Sequence, residues 1–330
     1  MRLQSLPLQL AKNARRNCPC LGLVRIPSVT VTPPPTLHHY TTAAGLLGVF
    51  EPVGLVGFPG VPKTRSLCLW SSDARYLNDS QELSYAAAVL ADAIMDLSDS
   101  SDADHHNRMQ ALAGRVRKLD FSDPEVDDTA HTAYVTSFCA EGNLLSQWRG
   151  YGVGGYSIEF PSDVLQAFQV PAFRAGNQSV GYLSGSRLYP VRYGLKDTSD
   201  IEEAAQQIVA PENYLGAVRR VVECLAKYKH PDFEQEQEWR LICSFGHEYT
   251  ACDYRVSRTG MLIPYVQLRY TPYYLHDPTE GNQYTGKIVK TVRVGPGSDQ
   301  KLRAESVRRM LNQRSFRDAS VKESGTPFRG

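Results

Sequence analysis

No apolar run in the 330 residues approaches the ~20 needed for a bilayer-crossing helix. The chain also lacks an excess of either charge. It carries 36 Lys and Arg against 35 acids, a formal net charge of +1, so no global field draws in nucleic acid or an anionic membrane. Among its 7 cysteines there is no CxxC pair, and the odd count argues against a disulfide framework. Most lie in apolar runs, as buried thiols of a reducing compartment do, and the protein is expected to be cytoplasmic. Cys18-Pro19-Cys20 has no second pair nearby to complete a four-ligand zinc site, so no metal is expected. Residues 1–36 contain no acid, carry Arg2, Lys12, Arg15, Arg16 and Arg25, and end at Pro33-Pro34-Pro35. They read as a disordered basic, Pro-rich tail, and their composition also resembles an organelle transit peptide. They lack the clean apolar core of a secretory signal.

From Leu37 onward the pattern predicts one α+β domain over 37–330, with a mixed, largely antiparallel sheet and helices packed on it. Short strands are expected at 37–40, 66–70, 133–138, 155–160, 187–193, 238–243, 261–268, 287–294 and 320–323. Helices are expected at 43–50, capped by Thr41 or Thr42, at 82–97, at 107–119, at 143–149, at 212–229 and from a Ser298 cap to about 314. The Gly- and Pro-rich stretch 51–65 and the acidic, Ser-rich stretch 96–106 read as loops, the latter holding His105 and His106. Strands and helices do not alternate as in a doubly wound sheet, and no internal repeat is present.

Four polar clusters interrupt the apolar runs. His38-His39-Tyr40-Thr41 ends the first strand, as a ligand-binding edge or as a capped junction. Asp73-Ala74-Arg75-Tyr76-Leu77-Asn78-Asp79 reads as a binding turn, or as a helix entry whose acids favour the macrodipole, with Arg75 salt-bridged. Ser146-Gln147-Trp148-Arg149-Gly150-Tyr151-Gly152 sets a planar guanidinium fork beside glycines that let backbone approach a phosphate or carboxylate; a packed Trp and a tight turn explain it equally. In Glu234-Gln235-Glu236-Gln237-Glu238-Trp239-Arg240 an extended chain puts Glu236, Glu238 and Arg240 on one face, where paired carboxylates resist joint ionisation. The Gly295-Pro296-Gly297-Ser298 loop lacks a Walker Lys and reads as a turn with a cap.

Together these strings resemble the bacterial domain-of-unknown-function (DUF) family numbered 2971, over about residues 37 to 329. The residues that carry the resemblance are Leu37 to Thr41, Leu69-Trp70 with Asp73 and Arg75 to Asp79, Thr136-Ser137-Phe138, Leu145 to Gly152, Lys229-His230-Pro231 and Glu238-Trp239-Arg240-Leu241. That family name implies no activity. A weaker resemblance, to ADP-ribosyltransferases, rests on His39 on a first strand, Ser137 on a middle strand and Glu236-Gln237-Glu238 entering a later one. The middle string is Thr-Ser-Phe where that family has Ser-Thr-Ser.

What this second resemblance implies is an ADP-ribosyltransferase or NAD glycohydrolase, with NAD as substrate and an acceptor of unknown identity, in a toxin or phage-defence setting. Glu238 would face the oxocarbenium-like ribose cation, and Glu236 would orient the acceptor or take its proton. His39 and Ser137 would hold the ribose, Tyr40 would stack on nicotinamide and Arg149 would pair with the pyrophosphate. Arg75 and Gln147 complete the binding set. The rival reading is a non-catalytic module that recognises a nucleotide or a protein through the same polar cleft. The basic residues of the late helices are interspersed with acids, so a nucleic-acid track is not supported.

Overall fold

The computed structural model describes residues 31–50, 67–77, 82–98, 101–120, 131–151, 155–174, 178–183, 186–210, 216–246, 252–257, 259–270 and 287–326. The chain divides into two units, Met1–Thr32 and Pro33–Gly330, and the second holds every element below. The readings of residues 1–30, of the 51–65 loop, of Asn78 and Asp79 and of the helix start at 212–215 fall outside the described residues.

Strand β1 (Thr36–Thr41) leads into α1 (Ala43–Val49), capped by the Thr42 hydroxyl, which accepts from the Gly45 N–H. β2 (Leu67–Asp73) ends in a single 3₁₀ turn, Ala74–Tyr76. α2 (Glu82–Leu97) coincides with the Ala- and Leu-rich segment that favours helix. α3 (Ala103–Lys118) begins four residues before the sequence suggests. Its first turn lies in the acidic stretch read as a loop, because Asp102 accepts from the His105 N–H and caps it. His105 is therefore buried on the helix, its Nε2 donating to the Val209 carbonyl at 2.9 Å.

β3 (His131–Cys139), α4 (Leu145–Tyr151), β4 (Tyr156–Pro161) and the short α5 (Ser162–Leu165) follow, then the hairpin β5 (Val170–Arg174) and β6 (Gln178–Leu183). β7 (Arg187–Pro190) and β8 (Arg192–Tyr193) split the predicted 187–193 strand at Val191, whose N–H turns to the Glu238 carbonyl. α6 (Ser199–Val209) escaped the sequence reading. α7 (Ala217–Leu225) stops short of the predicted 229, because Tyr228 and Lys229 form β9, parallel to β8. A 3₁₀ stretch, Pro231–Glu236, enters β10 (Glu238–Gly246). The chain continues through β11 (Asp253–Val256), β12 (Leu262–Tyr270), β13 (Thr291–Val294), α8 (Gln300–Gln313) and β14 (Ser320–Glu323). Asp299, not Ser298, is the N-cap of α8.

Ten strands form one sheet in the order β11-β12-β2-β3-β1-β4-β13-β14, with β10 along β3 and β7 beyond β10. All its pairings are antiparallel except β13 with β14. The architecture is the α+β class read from the sequence. Alternation along β3 and β10 separates two cores. Tyr134, Phe138, Trp239 and Leu241 face one side, with Val307 and Leu311 of α8 in the same cluster. Ala133, Val135 and Ile242 face the other, with α2, α3, α6 and α7. Cys68, Cys139, Cys224 and Cys243 are free and buried, and Cys252 is free and half-buried. Among the described residues no helix is long and apolar enough to cross a membrane.

Candidate functional site

The sheet parts at its centre. β10 lies along β3 over its whole length, from Gly246 opposite His131 to Glu238 opposite Cys139. The other edge of β3 is shared by two strands that do not meet. β2 pairs with Tyr134 and Val135, and β1 reaches only Cys139. The Ala140 N–H bonds the Gln237 carbonyl. Strict alternation from there turns the main-chain groups of Ser137 away from β10 and into the split. No strand supplies a partner to the Ser137 carbonyl. The His39 imidazole does, with Nδ1 at 3.0 Å. A carbonyl only accepts, so Nδ1 carries the hydrogen and Nε2 of the neutral ring is an acceptor. Burial lowers the His39 pKa, partly opposed by the Ser137 bond, and the nearby Arg255 charge lowers it further. Arg255 in turn donates to the Ser72 hydroxyl at 2.9 Å. Beside Ser72, Trp70 and Tyr265 stack with ring centroids 5.1 Å apart. Ser71 and Thr136 exchange a buried hydroxyl bond of 2.5 Å across the same split.

On the face opposite His39, the same side by register as Ser72, Trp70 and Tyr265, lies a four-membered ion cluster. The Glu238 carboxylate is almost fully buried and accepts from Arg240 Nε at 2.8 Å, Arg240 Nη2 at 3.1 Å and Lys229 Nζ at 3.0 Å. The Ser137 side chain lies near the same carboxylate and favours its ionised form. Lys229 Nζ also reaches Glu236 Oε2 at 2.7 Å, and Arg240 Nη1 donates to the Ala226 carbonyl at 2.8 Å. Two cations thus meet two carboxylates. Glu236 is not extended as the sequence suggests: it closes the 3₁₀ stretch, and Gln237 turns the chain in a left-handed conformation, φ 45°. Lys229 between the two carboxylates relieves the repulsion that their spacing implies.

Burial alone would raise the Glu238 carboxyl. Arg240 and Lys229, with the hydrogen bonds from Arg240 and with the Ser137 side chain nearby, reverse this and hold it down to about 2 from an ordinary 4.5. A carboxyl with a depressed folded pKa stabilises the fold above its unfolded value and loses that contribution as pH falls through the folded one. Unfolding free energy should therefore drop by about 3 kcal/mol between pH 4.5 and pH 2 from this group, and the lowered His39 adds a loss of the same sign below its ordinary 6.5. Urea titrations across that range check it. Glu238→Gln should remove most of the carboxyl's slope.

The residues singled out in the sequence are divided. Ser137 and Glu238 lie side by side, and Glu236 joins them through Lys229. His39 packs on Phe138, at 5.6 Å between centroids, so its ring is on the other face of the sheet from Glu238. The β1 residue opposite Cys139, on the Glu238 face, is His38. Tyr40 is buried and pinned: its hydroxyl donates to the Glu141 carbonyl and accepts from the Leu144 N–H, both at 2.9 Å, while its ring meets Trp148 edge-on. Arg75 grips Asp73, Nη2 to Oδ2 at 2.7 Å, and that bond raises its pKa. Gln147 and Arg149 lie on α4, Gln147 half-buried and Arg149 exposed, and neither side chain bonds another described residue. Among the described residues no three His, Cys, Asp or Glu side chains gather to hold a metal ion.

Residues 147–241 match the family described as a protein of unknown function, DUF2971. No curated protein and no solved structure matches the chain. The DUF2971 segment takes in Gln147, Arg149 and the whole ion cluster of Lys229, Glu236, Glu238 and Arg240, and it leaves out His39, Arg75 and Ser137. No match to an ADP-ribosyltransferase was found. Sequence reasoning passed over two contributors. Lys229 had no local signal that set it apart, since Glu223 and Lys227 already place charges in the stretch before it. Arg255 had none, since β11 is four residues long and alternation over so short a strand does not stand out.

Proposed function

We propose that this chain is a non-catalytic module that binds a nucleotide-like anion at the split between β1 and β2. The observation that carries this reading is the crowding around Glu238. A carboxylate offers about four lone-pair positions, and Arg240 supplies two donors and Lys229 a third, with the Ser137 side chain close beside them. A ribose hydroxyl reaches that carboxylate only by displacing one of these groups. Its charge is also matched by two cations, so it does little for a developing sugar cation. The split, by contrast, sets the acceptor of a fixed imidazole within electrostatic range of the Arg255 guanidinium, with the Trp70–Tyr265 ring pair on the far face beside Arg255. That combination suits a phosphate joined to an aromatic base.

Calorimetry with NAD and ADP-ribose, run beside an assay for released nicotinamide, tests the reading. Binding without release is expected. Arg255→Ala should weaken binding about tenfold or more, as the loss of a charge-assisted bond does. His39→Gln, which keeps a hydrogen-bonding side chain for the Ser137 carbonyl, should weaken binding with a smaller loss of stability than His39→Ala. Absence of binding to either nucleotide sinks the proposal.

One observation favours a second reading. The strands carrying His39, Ser137 and Glu238 are neighbours in the order β1-β3-β10, and Ser137 lies beside Glu238. That strand order is what an NAD-cleaving transferase or glycohydrolase would need, with His39 and Glu238 on opposite faces of it. Nicotinamide release that Glu238→Gln abolishes without loss of folding would establish it in place of the first.

A further inference from the structure

β11 is the outer strand of the large sheet, and among the described residues only β12 pairs with it. The Ser257 N–H donates to the Met261 carbonyl at 2.8 Å. Counting back from that rung by alternation, Arg255 with Ile263 and Asp253 with Tyr265 are the hydrogen-bonded pairs. Tyr254 and Val256 therefore turn their N–H and C=O groups outward. Pro264, opposite Tyr254, fits this pattern, since it has no N–H to give. The side chains agree with the backbone. Tyr254, Val256 and Leu262 share one face and are 64%, 67% and 60% exposed, and Met261 at the turn is 54% exposed. Free edges are commonly protected by proline or a bulge, and β11 has neither, although it is short and carries Asp253 and Arg255. The sheet's other end, β14, exposes Ser320, Lys322 and Glu323 instead.

We propose that two copies of this chain associate through β11, antiparallel about a two-fold axis, extending the sheet from one copy into the other. The partner is a second copy because the edge is complementary to itself in one register. Outward-facing groups must meet outward-facing groups, which allows a centre on any of the four strand residues; a centre on Val256 puts Arg255 opposite Ser257 and pairs no charges. Setting Arg255 opposite its own copy, or Asp253 opposite its own, juxtaposes like charges. Setting Tyr254 opposite Tyr254 of the second copy places Asp253 against Arg255 twice, in the non-hydrogen-bonded pairs where side chains lie closest. It also joins the two exposed apolar stripes into one.

Sedimentation velocity of the full chain, from low to high micromolar concentration, tests this. A reversible dimer is expected. Tyr254→Pro removes an outward donor without touching the β12 rungs and should yield a monomer. Asp253→Arg should weaken association about tenfold or more by opposing like charges. The swap Asp253→Arg/Arg255→Asp should restore it. A monomer at every concentration, or a dimer indifferent to both Tyr254→Pro and Asp253→Arg, overturns the interface. Failure of the swap to restore association overturns the register.

Discussion

Arg240→Met should lower the unfolding free energy by about 3–5 kcal/mol in urea, because it strands a buried carboxylate beside one remaining cation. The guanidinium is 1% exposed, donates to both Glu238 oxygens and closes the turn after α7 through the Ala226 carbonyl. Removing it leaves that carbonyl unmet as well. The double change Glu238→Leu/Arg240→Met should be less harmful than Arg240→Met alone, since Lys229 still has Glu236 and no charge is stranded. If Arg240→Met costs under 1 kcal/mol, the cluster is not what holds β10 to β9. The outcome also bears on function, since a carboxylate that structure needs this much is poorly placed to shed a donor for a substrate.

A second large effect is expected at Gly295. An alanine Cβ there would sit 2.8 Å from both the Gly155 carbonyl oxygen and the Trp148 ring. Neither neighbour can retreat. The Gly155 carbonyl accepts from Gly295 itself at 2.8 Å, and Trp148 is 1% exposed, bonded to Asn143 at 3.1 Å and packed edge-on against Tyr40. Gly295→Ala should therefore cost about 2–3 kcal/mol, as overpacking of a filled core does. It should also perturb the near-ultraviolet signal of Trp148. Urea unfolding with that signal recorded in parallel measures both. Retained stability with an unchanged spectrum would mean that the two backbone segments are not in this contact. The sequence showed Gly295-Pro296-Gly297 only as a turn. The demand for glycine arises from a tryptophan distant in sequence, which no local pattern reveals.

Elements governed by local chemistry were legible. α2 follows its Ala and Leu content to the residue, and β10 follows its alternation. Where a distant partner decides, the reading failed. The Ser- and Asp-rich approach to α3 looks like a loop because those side chains compete with the backbone, yet the same property makes Asp102 a cap. The apolar spacing of α7 persists to Leu225 and gives no hint that the next turn leaves the helix for β9. The candidate site divided in the same way. Glu238 and Ser137 were found together because strand order and alternation bring them together, while Glu236 reaches the group from the 3₁₀ stretch through Lys229. His39 and Glu238 were read as companions, although no count along the sequence relates the face of one strand to that of a strand 200 residues later. Lys229, which joins the two carboxylates, was seen only as part of a resemblance.

The order of strands also governs synthesis. Among the described strands β1 comes first along the chain and lies between β3 and β4, while β4 gains its outer neighbour from β13, which takes β14 beside it. A nascent chain that has emerged through β4 has the inner strand of a future sheet but must leave one flank open until well over a hundred further residues are translated. Closure across such a span is slow, and an open flank invites pairing with other chains. Stalled or shortened translation products lacking β13 and β14 would consequently be substrates for chaperones, not smaller working versions of the protein.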